Sequence, residues 1–387
     1  MLHSSEIPRL SSKLPEVGTT IFTVMSKMAS DYGAINLSQG FPDFPVPDAL
    51  VDLVRKHMIE GHNQYAPMPG LIDLREQIAE KVFRLYQRKI DPDTEITITA
   101  GATEALHASI SAIVHPGDEV IVLEPAYDSY IPSIKLNGGV VIPVALHPGD
   151  FSVNWDVVKE KVNNRTRMIM INTPHNPTGS IFSAQDLEQL AEITRNTNIV
   201  VLSDEVYEHI VFDGERHQSV LRHEELLQRS VAVFSFGKTF HATGWKVGYC
   251  IAPEILSTEI RKVHQYLQFS VHTPTQFALA EYMNGLKSYQ YLTDFYQQKR
   301  DLFLKLTENS PFKALPAKGT YFQLFSYQEF SSMPDRKLAE HLTQKSKLAS
   351  IPISVFYHDQ TDNHYLRFCF AKGDETLVRA AEILCNL

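Results

Sequence analysis

The chain has 387 residues, of which 43% are apolar, and a formal net charge of -9; that is enough for one large domain and a smaller one, each with a sizeable core. The acidic balance, with a pI near 6.0, excludes a nucleic-acid or anionic-membrane surface, so any bound phosphate must be held by a local site. No apolar run is long enough to span a bilayer, residues 1–20 lack a signal-peptide core, and the cysteines Cys250, Cys369 and Cys385 offer neither a disulfide scaffold nor a C-x-x-C zinc site; a metal-free cytoplasmic protein is expected.

In chain order, residues 1–45 read as irregular around Pro8, Pro15 and Gly18, with a short helix over 21–31. Residues 36–47 (NLSQGFPDFPVP) carry Gly40, Pro42, Pro45 and Pro47 and must be extended loop. Pro47-Asp48 opens a helix to about residue 60, with Leu50, Leu53 and Val54 on one face. Residues 63–70 (NQYAPMPG) form a second loop, and 71–87 an amphipathic helix. Strand and helix then alternate. A strand at 96–99 leads through Gly101-Ala102-Thr103 into a helix over 104–114, and a strand at 119–123 ends at Glu124-Pro125-Ala126-Tyr127. Further strands are expected at 140–145 and at 167–172, the latter running into TPHNPTG at 173–179. A helix over 184–194 precedes a strand at 198–202, which ends in SDEVY at 203–207. Another strand begins at Val231, and one more covers 248–252. Continuous apolar strands alternating with helices predict a parallel sheet covered on both faces.

Beyond Pro274 a helical pattern covers 276–307 with a break near Asn284-Gly285. A smaller α/β unit follows, with strands at 319–325, around 353–356 and at 364–370. The simplest partition is an arm (1–47) packed on the second domain, a large domain (48–285) and a small domain (286–387).

The stretch 231–248 (VAVFSFGKTFHATGWKVG) turns from an apolar strand into a polar segment with Ser235, Lys238, Thr243 and Lys246. Gly237-Lys238-Thr239 looks like the end of a nucleotide phosphate loop, but Ala232 stands where that motif needs its first glycine. A lone lysine there is ordinarily a solvated loop residue. The alternative is a lysine that forms a Schiff base with an aldehyde whose phosphate the neighbouring residues hold.

Open parallel sheets bind ligands beyond the carboxyl ends of their strands. There the sequence places Gly101, Ala102, Thr103, Tyr127, Asn176, Asp204, Tyr207, Ser235 and Lys238. The turn at Gly101 to Thr103, with Ser235 and Lys246, can hold a phosphate dianion, and Tyr127 can stack on a pyridine ring. Asp204 can keep a ring nitrogen protonated. Asn176 and Tyr207 can donate to a ring phenolate oxygen, and Lys238 closes the Schiff base. Each has an ordinary alternative: a helix N-cap for Asp204, a core position for Tyr127, a plain turn at Asn176-Pro177-Thr178-Gly179 and a plain helix entry at Gly101. Their coincidence at strand ends argues against all of these at once.

The motifs TPHNPTG, SDEVY and SFGKTFHATGWKVG, together with Gly40-Phe41-Pro42-Asp43 and Arg367 in YLRFCFAK, resemble those of class I aminotransferases of pyridoxal-phosphate fold type I, over nearly the whole chain. LSQGFPDFP, NQYAPMPG and the Arg367 segment look most like the branch of kynurenine aminotransferase, glutamine transaminase K and bacterial methionine aminotransferase. The resemblance implies an α/β fold: a large domain with a mostly parallel central sheet and a smaller C-terminal α/β domain. It implies pyridoxal 5'-phosphate bound to Lys238 and paired with Asp204, with Asn176 and Tyr207 at the phenolate oxygen. Arg367 would grip the substrate α-carboxylate beside Gly40 and Asn176, and Phe22 would line the side-chain pocket, with Phe41 and Tyr65 adding apolar surface. Tyr65 would also reach the neighbouring subunit's cofactor phosphate, which implies a homodimer with shared active sites. The sequence departs from many members at Lys246, where they carry arginine; a lysine is a point charge without the planar fork. The implied reaction is ping-pong transfer of an amino group from a large apolar, sulfur-containing or aromatic amino acid to a 2-oxo acid, no motif supplying a second arginine for a dicarboxylic side chain. β-Elimination from cysteine conjugates at the same site is the alternative.

Overall fold

The computed structural model describes residues 10–284 and 289–387. Pro8, Gly285 and the expected boundary between 285 and 286 lie outside the described residues. A seven-stranded sheet runs in the order Ile96–Thr99, Gly248–Ile251, Ser230–Ser235, Val200–Asp204, Thr166–Asn172, Glu119–Glu124, Val140–Ala145. All neighbours are parallel except Gly248–Ile251, which is antiparallel to both strands beside it. A parallel return needs a crossover of a dozen or more residues, usually helical. The chain between Ser235 and Gly248 holds only the short turn Phe236–Thr239 and a 3-10 turn at Thr243–Trp245, so it comes back antiparallel.

Side chains alternate across the sheet, and both faces are dry. Val120, Val122, Met168, Met170, Val231 and Val233 pack with Leu106 and Ile110 of the helix Ala102–Ile113. Ile121, Ile169, Ile171, Val201, Ala232 and Phe234 face the other core. This double burial is why the strands read as unbroken apolar runs, and each buried aliphatic side chain is worth ~1.5–3 kcal/mol of transfer free energy. The helix Ala184–Thr194 begins where expected because Ser183 and Asp186 close a capping box. The helix Glu254–Leu267 was not anticipated. It fully buries Ser257, Ile260 and His264, with Leu256 and Val263 packed partly buried against the same core, an amphipathic period that the sequence does carry.

The small sheet is antiparallel, in the order Ile351–Pro352, Tyr365–Cys369, Phe322–Ser326, Lys313–Ala314. The helical pattern expected over 276–307 is two helices, Thr273–Met283 and Leu292–Leu306. The strand expected around 353–356 is instead a 3-10 turn, Ser354–Phe356. There the buried Asp335 carboxylate accepts both the Ser354 N–H (2.7 Å) and its hydroxyl (2.7 Å), which takes that donor out of any ladder. In the arm, the helix Ile21–Tyr32 stops at Gly33 in the left-handed conformation. Ile35–Asn36 then pairs in parallel with Leu348–Ala349, which carries the loop with Gly40 over the carboxyl edge of the large sheet.

Candidate active site

The sheet order brings distant segments to one edge. Asn172 and Asp204 are register partners, and Gly248 pairs with both Ser235 and Thr99. Above these strand ends lies a cavity of about 340 Å³. Gly101, Ala102, Thr103, Tyr127, Asn176, Asp204, Tyr207, Ser235, Lys238 and Lys246 line one side of it, and Phe22, Gly40, Phe41 and Arg367 the other. Tyr65 is the expected site residue the fold does not bring there. It is 81% exposed, its ring set edge-on against Phe269.

At one end the helix Ala102–Ile113 starts at Gly101 (φ 78°) without a side-chain cap, so its first N–H groups face the cavity side with no partner from a capping residue. A Cβ at Gly101 would come within 3.3 Å of the Lys246 Nζ, and one at Gly248 within 2.6 Å of the Phe234 carbonyl oxygen and 2.9 Å of the Ala102 nitrogen. Two glycines thus let a bare helix N-terminus, an ammonium and the Ser235 turn close on one small space. Unpaired N–H donors beside a cation suit a phosphate dianion.

In the middle, Asp204 accepts the Tyr130 hydroxyl at 2.7 Å and the Val206 N–H at 3.3 Å. Burial pushes its carboxyl up to about 6, against the pull of Tyr130 and the Lys238 charge. A cationic ring nitrogen opposite it would pair with that buried carboxylate and hold it ionised.

The Lys238 Nζ donates to the Gly40 carbonyl (3.1 Å) and to the Tyr321 hydroxyl (3.0 Å), which itself donates to Gly40 (2.6 Å). Burial brings the Lys238 ammonium down to about 8; Arg367 and Lys246 add to the fall, and Cys369 and Asp204 oppose it. An amine tuned that low is a usable nucleophile and base near neutral pH. Burial also drives the Tyr207 hydroxyl far above its ordinary range, so it stays a donor.

Arg367 is fully buried, with its guanidinium 3.9 Å from the Phe322 ring centroid and 5.3 Å from that of Phe22. It donates to the Asn176 Oδ1 (2.7 Å) and the Ser38 carbonyl (3.1 Å), while its Nε has no partner among the described residues. Because Asn176 spends its oxygen on Arg367, its amide N–H groups are left to donate elsewhere. A buried guanidinium with an unpaired N–H calls for a carboxylate.

Three contributors were missed from the sequence. Tyr130 holds Asp204; its only signal is its place three residues after Tyr127. Tyr321 holds Lys238 from 83 positions away, with no local signal at all. Asn172 accepts the Asn176 N–H at 2.7 Å and donates to the Asp204 carbonyl at 2.8 Å, tying two expected residues together.

The family model for class I and II aminotransferases matches residues 32–384. The methionine aminotransferase of Escherichia coli is 50% identical over 388 residues, all of both chains. The crystal structure of YbdL from Escherichia coli, for which a methionine aminotransferase function was identified, superposes with a TM-score of 0.95 over 98% of this chain and 100% of that one, at 50% identity. Human kynurenine–oxoglutarate transaminase 1 is 34% identical, with 91% of this chain and 92% of that protein aligned. A probable N-succinyldiaminopimelate aminotransferase of Mycobacterium tuberculosis is 37% identical over 97% of this chain and 98% of its own length. The chain therefore belongs to the class I and II aminotransferases, as a transaminase of fold type I in the methionine and kynurenine branch, with pyridoxal phosphate as its cofactor.

Proposed function

We propose that the protein transfers the amino group of a large apolar, sulfur-containing or aromatic amino acid (methionine, phenylalanine, tyrosine or kynurenine) to a 2-oxo acid, with Lys238 as the catalytic residue. The observation that carries this reading is the convergence of Lys238, Asp204 and Arg367 on one cavity. When bound, pyridoxal phosphate supplies a carbonyl that condenses with amines and a ring that takes up the electron pair left at the substrate Cα. Gly101, Ala102, Thr103, Ser235 and Lys246 would hold its phosphate, Tyr127 its ring face, Asp204 its ring nitrogen, and Asn176 and Tyr207 its ring oxygen. Arg367 anchors the substrate carboxylate beside Gly40 and fixes where Cα lies. The Lys238 Nζ, once free, takes the Cα proton and returns it on the other side of the transfer. Both substrates of the ping-pong cycle carry the carboxylate, so both use Arg367.

The substrate class rests on the wall opposite Lys238. Phe22, Phe41 and Phe322 line it, and the only cations among the described lining residues are Lys238, Lys246 and Arg367, all already engaged. That leaves none for a dicarboxylic side chain. The test is the visible spectrum of the purified protein after adding single amino acids without an oxo acid. The cofactor band is expected to shift to the amine form with methionine or an aromatic amino acid and not with aspartate. A shift led by aspartate would overturn the substrate class, and a protein with no band after addition of pyridoxal phosphate would overturn the role of Lys238.

We infer a homodimer with shared sites, through the face that bears Tyr65. Tyr65, Phe269, Val51, Met58 and Ile59 are all exposed there, and Val51, Val54, Met58, Ile59 and Trp245 line an apolar groove. Exposed apolar side chains gathered along one groove are what a partner surface would cover. Tyr65 would then act on the cofactor phosphate of the neighbouring subunit. A monomer in sedimentation at micromolar concentration would sink this. The partition into arm (1–47), large domain (48–285) and small domain (286–387) follows the two sheets. A cytoplasmic location is inferred from the three unpaired cysteines; no described helix is long and apolar enough to cross a membrane.

A further inference from the structure

We propose that His57, Glu60 and His62 form a site for a divalent transition-metal cation of the zinc type, separate from the cavity that holds Lys238. His57 lies in the last turn of the helix Asp48–Ile59, and Glu60 is its C-cap. Gly61 (φ 92°) then reverses the chain; the His62 N–H donates to the His57 carbonyl (3.1 Å) and the Gly61 N–H to that of Met58 (3.4 Å). This is the Schellman pattern, which ordinarily brings an apolar pair together at these two positions. Here the pair is two imidazoles, so the way the helix ends sets the ligand geometry.

The His57 Nδ1 is 3.0 Å from the His62 Nδ1 and 3.3 Å from the Glu60 Oε2, and the three ligand atoms lie within 4.8 Å of one another. Two nitrogens bound tetrahedrally to zinc at ~2.0–2.1 Å stand about 3.3 Å apart, so the three groups need little rearrangement. His57 is 6% exposed, and the Phe277 ring stacks on both imidazoles, at 4.1 Å from His62 and 5.3 Å from His57. The other ring nitrogen of His57, Nε2, meets the Glu281 carboxylate at 3.2 Å. Lys56 hydrogen-bonds that carboxylate at 2.8 Å. An ionised carboxylate there keeps the proton on Nε2 and turns the Nδ1 lone pair toward Glu60 and His62, the arrangement that supports metal-bound histidines. The negative end of the helix dipole adds to the attraction for a cation. Imidazole and carboxylate together select zinc-like ions over magnesium or calcium. Cysteine spacing gives no hint of this site, because no cysteine takes part. An ion here would clip the end of the helix to the segment that runs on to Tyr65.

The experiment is metal uptake by the chelator-treated, dialysed holoenzyme, using zinc and cobalt(II), in wild type, His62→Ala, Glu60→Gln and Glu281→Gln. Wild type is expected to bind one ion per chain more than His62→Ala, and wild type but not His62→Ala to give visible d–d bands with cobalt(II). Glu60→Gln is expected to weaken binding at least tenfold, and Glu281→Gln by about 10–100-fold through the lost support of His57. His62 and Glu60 sit at the surface end of the helix, so their variants should keep the thermal midpoint of wild type in chelator. Equal uptake by wild type and His62→Ala would overturn the site.

Discussion

Lys238→Ala is expected to lower kcat by at least a hundred- to ten-thousandfold, roughly the contribution of a positioned general base. It should also abolish the covalent attachment of the cofactor. After borohydride reduction, the wild-type peptide containing Lys238 should carry the cofactor mass, and no peptide of the variant should. The size of the effect follows from what surrounds the amine. The Tyr207 and Tyr321 hydroxyls are driven far above their ordinary range by burial, so neither can accept a proton in its place. Asp204 is bound to Tyr130 at 2.7 Å and would be engaged by the ring nitrogen. The Gly40 carbonyl and Tyr321 hold the Lys238 Nζ, so alanine removes the amine poised there among the described residues. Added methylamine, small enough for the vacated space, should restore part of the rate. A variant that kept wild-type turnover would remove Lys238 from the mechanism.

The large sheet was legible because its strands are buried on both faces. Runs such as Val231 to Phe234 had no other economical reading, and strand ends were marked by glycine, proline or a sudden polar residue. Arg367 was legible only through the resemblance of its segment: by itself an arginine in a short strand reads as a surface residue, whereas in the structure it is buried and Asn176 and Ser38 satisfy it only in part. What escaped were contacts without local signature. Tyr321 reaches Lys238 across 83 positions with no pattern that foretells it, and Gly40, expected beside the substrate carboxylate, also accepts from Lys238 across 198 positions. The turn at Ser354 was misread as strand because its cause, Asp335, lies 19 residues away. The His57 and His62 pair escaped too, since a helix ending in glycine ordinarily implies nothing about the side chains it brings together.

The same blindness hid the buried polar cluster behind Tyr207, where the largest stability effect is expected. Lys81, on the helix Ile72–Tyr86, donates to the Glu208 carboxylate and to the Tyr249 hydroxyl (2.5 Å), and the Tyr86 hydroxyl donates to the other Glu208 oxygen (2.6 Å). The Lys81 Nζ also lies 4.8 Å from the Phe234 ring centroid. Burial alone would raise the Glu208 carboxyl, but Lys81 and His209 outweigh it and hold it below the usual carboxylate range. Lys81→Met keeps the apolar stem and leaves that carboxylate buried with only His209 and the Tyr86 hydroxyl beside it, which should cost ~3–5 kcal/mol. The measurement is the urea midpoint of the apoprotein, at unchanged slope. The pH dependence separates charge from packing. In wild type the depressed Glu208 contributes stability that is present above the unfolded carboxylate value of ~4.3 and is lost as pH falls through its folded value. In Lys81→Met the folded value is raised instead, so a penalty holds at neutral pH and vanishes as pH falls toward ~4.3. The gap between the two proteins should therefore narrow on acidification, and Glu208→Gln in the Lys81→Met background should recover part of the loss at pH 7. A gap that stayed constant with pH would mean that packing, and not the ion pair, fixes the turn from Asp204 to Glu208 on which Tyr207 is carried.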